Sequence, residues 1–122
     1  RFEPKNENER KNFLPLTYRE DAAGKRAWRW QGLPDPRPLY NLDKLTANTS
    51  APVVVCEGEK AADAAALLFL DAICTTMLNG AQAPHKTDWR PLTGRAVMLW
   101  PDNDDAGLKN HLDLFISVLV QY

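Results

Sequence analysis

Two acidic segments hold the residues best suited to chemistry: Glu57-Gly58-Glu59-Lys60 and Pro101-Asp102-Asn103-Asp104-Asp105-Ala106-Gly107. Each follows an apolar run, Val53-Val54-Val55-Cys56 in the first case and Ala96-Val97-Met98-Leu99-Trp100 in the second. Carboxylates gathered at one place repel each other, so one must hold a proton unless a cation is bound. Hard oxygen donors with no His or Cys beside them favour magnesium or manganese over zinc. An ion held by a few carboxylates keeps positions open for water and phosphate oxygens, which is the requirement of phosphoryl transfer. Glu57 is also placed to act as a general acid or base. Both segments have plainer explanations. Asp102 to Asp105 could form a turn and a helix N-cap, and Glu59 could sit in a first helical turn. A calcium loop fits poorly. Asp102, Asp104 and Asp113 fall at positions 1, 3 and 12 of an EF-hand count, but Ala106 fills position 5 and a strand precedes the run.

The elements that must position these residues can be read from the apolar pattern. Val53 to Cys56 is a continuous apolar run, the mark of a strand covered on both faces. Lys60 to Leu70, rich in alanine and leucine, predicts a helix. Ala72 to Leu78 predicts a second strand, ending at Asn79-Gly80. Pro84 and Pro91 leave room for a short helix between them, and Ala96 to Trp100 predicts a third strand of the buried type. Leu108, Leu112, Phe115, Ile116 and Leu119 form one stripe of a helix reaching to about Gln121. The order β-α-β-(α)-β-α implies a parallel α/β sheet with right-handed connections. Ligands of such sheets bind beyond the carboxyl ends of the strands, which is where both acidic segments and Gly80 fall.

Upstream the pattern differs. Arg1 to Asn12 is charged and without periodicity, and reads as a poorly ordered arm. Phe13 to Arg19 and Arg26 to Gln31 read as two strands joined by the turn Asp21-Ala22-Ala23-Gly24-Lys25, with Trp28 and Trp30 on one face. The prolines between Gly32 and Pro38 exclude regular structure there. Leu39 to Leu45 predicts a short helical turn capped by Asn41, and Ala47 to Pro52 a linker. The domain division expected is residues 1–50 as arm, hairpin and linker, and residues 51–122 as the α/β domain.

Composition sets outer bounds. The 122 residues are 44% hydrophobic and 25% charged, an ordinary globular balance that supports one modest core. No apolar run reaches the ~20 residues of a membrane span. The opening residues do not resemble a signal peptide, and the absence of an initiator methionine suggests a fragment of a longer polypeptide. Cys56 and Cys74 lie in apolar runs, too few for a structural zinc site, and are expected as buried thiols of a cytoplasmic protein. Net charge is -1, made of +3 over residues 1–50 and -4 over residues 51–122. An acidic second half suits a cation site, and a basic first half could face phosphates.

A strand ending in Glu-Gly, a helix, a strand ending at Gly, and a strand ending in Asp-x-Asp followed by Ala-Gly together resemble the Toprim domain. That domain is shared by bacterial-type primases, phage primase-helicases, topoisomerases, recombination mediators and some nucleases. Residues 53–60 carry the glutamate motif, residues 102–107 the Asp-x-Asp motif in its primase form, and residues 76–80 the strand and glycine between them. The resemblance covers residues 51–121. The Glu-Gly-Glu variant and the segment Pro38-Leu39-Tyr40-Asn41-Leu42 look like phage or plasmid primases. The resemblance implies Glu57 as catalytic acid/base and metal contact, Asp102 and Asp104 as catalytic metal ligands, and Asp105 as a further ligand. Gly58, Lys60, Gly80, Lys109 and Arg29 would contact phosphates or nucleic acid. The implied cofactor is Mg2+ or Mn2+. The implied partners are a single-stranded DNA template, nucleoside triphosphates, and helicase and zinc-binding regions of the same longer polypeptide, with no membrane.

The sequence departs from the family pattern in two places. Ala61 stands where primases commonly have an aspartate, with Asp63 two residues further on. The chain also stops where the family usually adds a fourth strand, so that strand is expected to be truncated. Two other functions fit the same residues. One is a Toprim nuclease using the carboxylates to activate water. The other is a binding module in which Trp28, Trp30 and Tyr40, interleaved with Arg26, Arg29 and Arg37, stack bases. Against the module stands the possibility that the tryptophans pack the hairpin onto the core.

Overall fold

The computed structural model describes residues 14–78 and 84–101. The chain divides into two compact units, one ending at Pro34 and the other beginning at Asp35.

The first unit is an antiparallel hairpin of β1 (Thr17–Glu20) and β2 (Arg26–Arg29), paired Thr17 to Arg29 and Tyr18 to Trp28. Its turn is built by Asp21. The carboxylate Oδ1 accepts the backbone N–H groups of Ala23 and Lys25 at 3.0 and 2.9 Å, and the Asp21 carbonyl accepts from Gly24. Gly24 adopts φ +78°, the left-handed conformation that closes a short hairpin loop and that glycine enters without steric cost. Both strands are shorter than their sequence patterns predict.

The second unit is an α/β layer. Its elements are α1 (Leu42–Ala47), β3 (Val53–Cys56), α2 (Glu59–Ala65), β4 (Ile73–Thr75) and β5 (Val97–Trp100). The three strands form a parallel sheet in the order β4-β3-β5. Val53 pairs with Ile73 on one side and with Val97 on the other, and the second register runs on to Cys56 and Trp100. β3 is central and all four of its residues are buried, as its unbroken apolar run requires. Alternate residues separate two cores. Val54, Cys56 and Cys74 pack with Ala62 and Ala65 of α2. Val53 and Val55 pack with Leu39, Leu45, Met77, Trp89 and Leu92. The β3–β4 and β4–β5 connections thus cover opposite faces, as crossovers of one hand must when they run in opposite directions across a sheet.

Several elements differ from their sequence patterns. α2 ends at Ala65, and residues 66–70, expected to be helical, lie outside the helix, four of them in turns, with Leu68 N–H bonded to the Ala65 carbonyl. Leu67, Leu68 and Leu70 are exposed, and only Ala66 and Phe69 of this stretch pack against the described core, which leaves little tertiary packing to hold it helical. β5 is not buried on both faces: Val97 and Leu99 turn inward while Met98 and Trp100 are about half exposed. In place of one short helix between the prolines, Pro84–Lys86 and Arg90–Leu92 form two single 3₁₀ turns. Proline lacks the N–H that a longer helix would use there.

Asn41 precedes α1 as expected, but its side chain does not cap the helix. Its backbone sits at φ 58°, a conformation asparagine tolerates better than most residues. Its Nδ2 donates to the Cys74 carbonyl at 2.9 Å. That bond joins α1 to the outer side of β4. Tyr40 N–H to the Thr76 carbonyl and Thr75 Oγ1 to the Tyr40 carbonyl extend the seam. An edge strand covered in this way has fewer open backbone groups for unwanted pairing.

Candidate active site

Glu57 and Pro101 are the first residues beyond the paired ends of β3 and β5. Cys56 and Trp100 face each other in register, at the neighbouring-strand spacing of about 4.8 Å. The order β4-β3-β5 makes this pair special. The chain leaves β3 toward β4 on one side and returns to β5 on the other, so the connections diverge between β3 and β5. In open α/β sheets the crevice at such a divergence, outside the carboxyl ends, is where ligands bind. Glu57 stands at the carboxyl end of β3, half-buried, with its Oε1 shielded from solvent.

The other residues singled out by the sequence are placed as follows. Gly58 precedes α2, and Lys60 is exposed in its first turn. Gly58 has φ -157°, an extended conformation open to any residue, and a Cβ there would meet nothing within 4 Å among the described residues. Neither the backbone nor the packing therefore demands glycine at this position. Arg29 belongs to the hairpin, where its Nη2 lies 3.3 Å from Asp21 Oδ2. Gly80, Asp102, Asp104, Asp105 and Lys109 lie outside the described residues. Among the described residues no three His, Cys, Asp or Glu side chains form a metal-holding group.

Three polar features of this unit were not singled out as site residues. Thr76, directly after β4, is fully buried, and its Oγ1 has no hydrogen-bond partner among the described residues. The signal for it was a polar Thr75-Thr76 pair within an apolar strand. Tyr40 donates its hydroxyl to Asp63 Oδ1 at 3.0 Å. This bond raises the phenol above its ordinary pKa, with desolvation and the carboxylates of Asp63, Glu59 and Asp43 acting in the same direction. Asp63 is thereby engaged by Tyr40, and Tyr40 packs against the α2 side of the sheet. It belongs to the α/β unit and not to the hairpin that carries Trp28 and Trp30. Arg37, grouped with the tryptophans in the sequence, also belongs to this unit and pairs with Asp35 at 2.9 Å.

No family model, curated protein or solved structure matches the chain.

An apolar groove on the α/β unit lies elsewhere. It has a volume of about 480 Å³ and is lined by Pro52, Val53, Leu68, Phe69, Leu70 and Met98 among others. Pro52 and Val53 stand at the amino end of β3, so the groove lies at the sheet edge opposite Glu57. Its apolar lining offers no catalytic group beyond Asp71 at its rim. Cys56 and Cys74 are both buried, and burial pushes the Cys74 thiol up, which keeps it protonated and unreactive. No helix among the described residues is long and apolar enough to cross a membrane.

Proposed function

We propose that this chain is the Toprim part of a primase or primase-helicase, with a nucleotidyl-transfer site at the divergence of β3 and β5. The observation that carries this reading is the parallel pairing of β3 with β5 up to Cys56 and Trp100. It brings Glu57 beside Pro101, the residue that leads into Asp102-Asn103-Asp104. In this reading Glu57, Asp102 and Asp104 hold a divalent ion, with Asp105 as a further ligand, and the hard oxygen donor set suits Mg2+ or Mn2+. Such an ion neutralises charge on a transferring phosphoryl group and favours ionisation of the attacking hydroxyl.

The side chains have separate tasks. Glu57, half-buried at the crevice, accepts the proton of the attacking 3′-hydroxyl. The unforced glycine at position 58 lets the backbone approach the triphosphate where a side chain would stand in the way. Lys60, exposed one turn into α2, supplies a positive charge for phosphate oxygens. The substrates are ribonucleoside triphosphates on a single-stranded DNA template, in the cytoplasm, with the remaining parts of the priming machinery on a longer polypeptide.

The direct test is metal binding by the 122-residue chain, followed by manganese electron paramagnetic resonance. Glu57→Gln, Asp102→Asn and Asp104→Asn should each weaken Mn2+ binding at least tenfold, and Asp71→Asn should leave it unchanged. Manganese affinity that ignores Glu57→Gln sinks the assignment. In a polypeptide competent for priming, Glu57→Gln should abolish primer synthesis while the fold persists.

A further inference from the structure

We infer that the β1–β2 hairpin is a docking surface for single-stranded nucleic acid, with bases stacking on Trp28 and Trp30. The residues that would form a small core on one side of this hairpin are instead open to solvent. Trp28 is 67% exposed, Trp30 66%, Tyr18 58% and Leu16 45%. Tyr18 and Trp28 are a cross-strand pair, with ring centroids 5.3 Å apart and planes tilted by 54°. Trp30 sits at the bend directly after β2, no more than about 7 Å from Trp28 along the chain. An exposed aromatic cluster on paired strands is a stacking platform, because every base presents a π-face.

Charge and size both select the occupant. The described hairpin residues include Arg19, Lys25, Arg26 and Arg29 against Glu20 and Asp21, a net charge of +2. Both carboxylates are already engaged, Glu20 by Arg26 at 2.6 Å and Asp21 by Arg29. Arg19 and Lys25 have no ion partner among the described residues and remain available to phosphates. The four open apolar side chains amount to on the order of 500 Å². A stable protein partner needs about 800 Å² from each side, so this patch alone is too small for one, whereas one or two stacked bases fit it. The inference stands apart from the metal site and holds whether or not Glu57 binds an ion.

The experiment uses the full 122-residue chain and a fluorescein-labelled oligothymidylate of about 12 nucleotides, within the usual range of single-strand site sizes. Anisotropy is measured in EDTA at low salt. Binding should weaken steadily with added salt and should exceed binding to a duplex of equal length. Trp28→Ala combined with Trp30→Ala should reduce affinity at least tenfold, while Trp28→Phe should retain most of it. Trp30→Ala alone lies outside the paired strands and repeats the test without disturbing the Tyr18–Trp28 pair. Wild-type affinity in both Trp30→Ala and the double variant, equal affinity for duplex, or loss of binding in EDTA would each overturn the inference. So would a sedimentation dimer that Trp28→Ala dissolves, since the occupant would then be a second copy.

Discussion

At the residue scale, Gly58 separates function from fold more cleanly than any other position near the crevice. A glycine in a strand-to-helix turn commonly answers a steric need, either a positive φ or a close approach of another atom. Here φ is extended, and among the described residues nothing lies within 4 Å of where a Cβ would stand. Gly58→Ala should therefore change folding stability by less than about 0.5 kcal/mol, as an unstrained surface substitution does. If a triphosphate approaches the backbone at this point, the same change should lower nucleotidyl transfer in a priming-competent polypeptide. Chemical denaturation beside a primer-synthesis assay reads both. Loss of stability would show that the glycine serves the fold after all. Thr76 poses the complementary case, a fully buried hydroxyl with no described partner, in a setting where an unmade hydrogen bond costs free energy.

At the element scale, the connection from α1 to β3 depends on Arg95. Its guanidinium donates from Nη1 to the carbonyls of Asn48 and Ala51, at 2.6 and 3.3 Å, and from Nη2 to that of Leu45. Leu45 lies inside α1, Asn48 is its C-cap, and Ala51 leads into β3. A helix C-terminus leaves carbonyls without intrahelical partners and carries partial negative charge, and a forked cation satisfies both conditions at once. Arg95→Ala should lower the stability of the α/β unit by about 2 kcal/mol. Arg95→Lys should restore less than half of that, because an ammonium cannot span three carbonyls as a planar guanidinium does. Urea midpoints of the three proteins would decide this, and equal midpoints would remove Arg95 from the account.

At the scale of the whole molecule, two units of unlike construction share one chain. The hairpin is held by its turn, its ladder and surface ion pairs, while the α/β unit has two cores on either side of β3. Among the described residues, every buried residue of those cores is Leu39 or later. Leu39 and Leu45 come from the segment leading into the first parallel strand, and they are integral to the unit. A fragment of residues 35–122 should therefore unfold cooperatively with the same midpoint as the full chain, followed by circular dichroism. Trp89, 1% exposed with its Nε1 donating to the Pro84 carbonyl at 2.8 Å, should give the fragment blue-shifted fluorescence that moves red at the transition. A fragment without a cooperative transition would show that the hairpin is needed for folding.

The sequence by itself determined the class of fold, because hydrophobic periodicity is a local property. Four consecutive apolar residues at Val53 to Cys56 can only be satisfied by cover on both faces, and Asp21 with Gly24 can only make a turn. It also determined which residues could do chemistry, since a carboxylate's donor properties travel with its side chain. Tertiary structure alone decided what depends on neighbours distant in sequence. The order β4-β3-β5 set the end of β3 beside the end of β5, and the half exposure of Met98 and Trp100 could not be read from their apolar run. The side chain of Asn41 chose the Cys74 carbonyl over its own helix because β4 passes within reach, which no local pattern encodes. The openness of Trp28 and Trp30 has the same origin: apolar residues announce burial, and only the arrangement of the folded chain shows where none occurs.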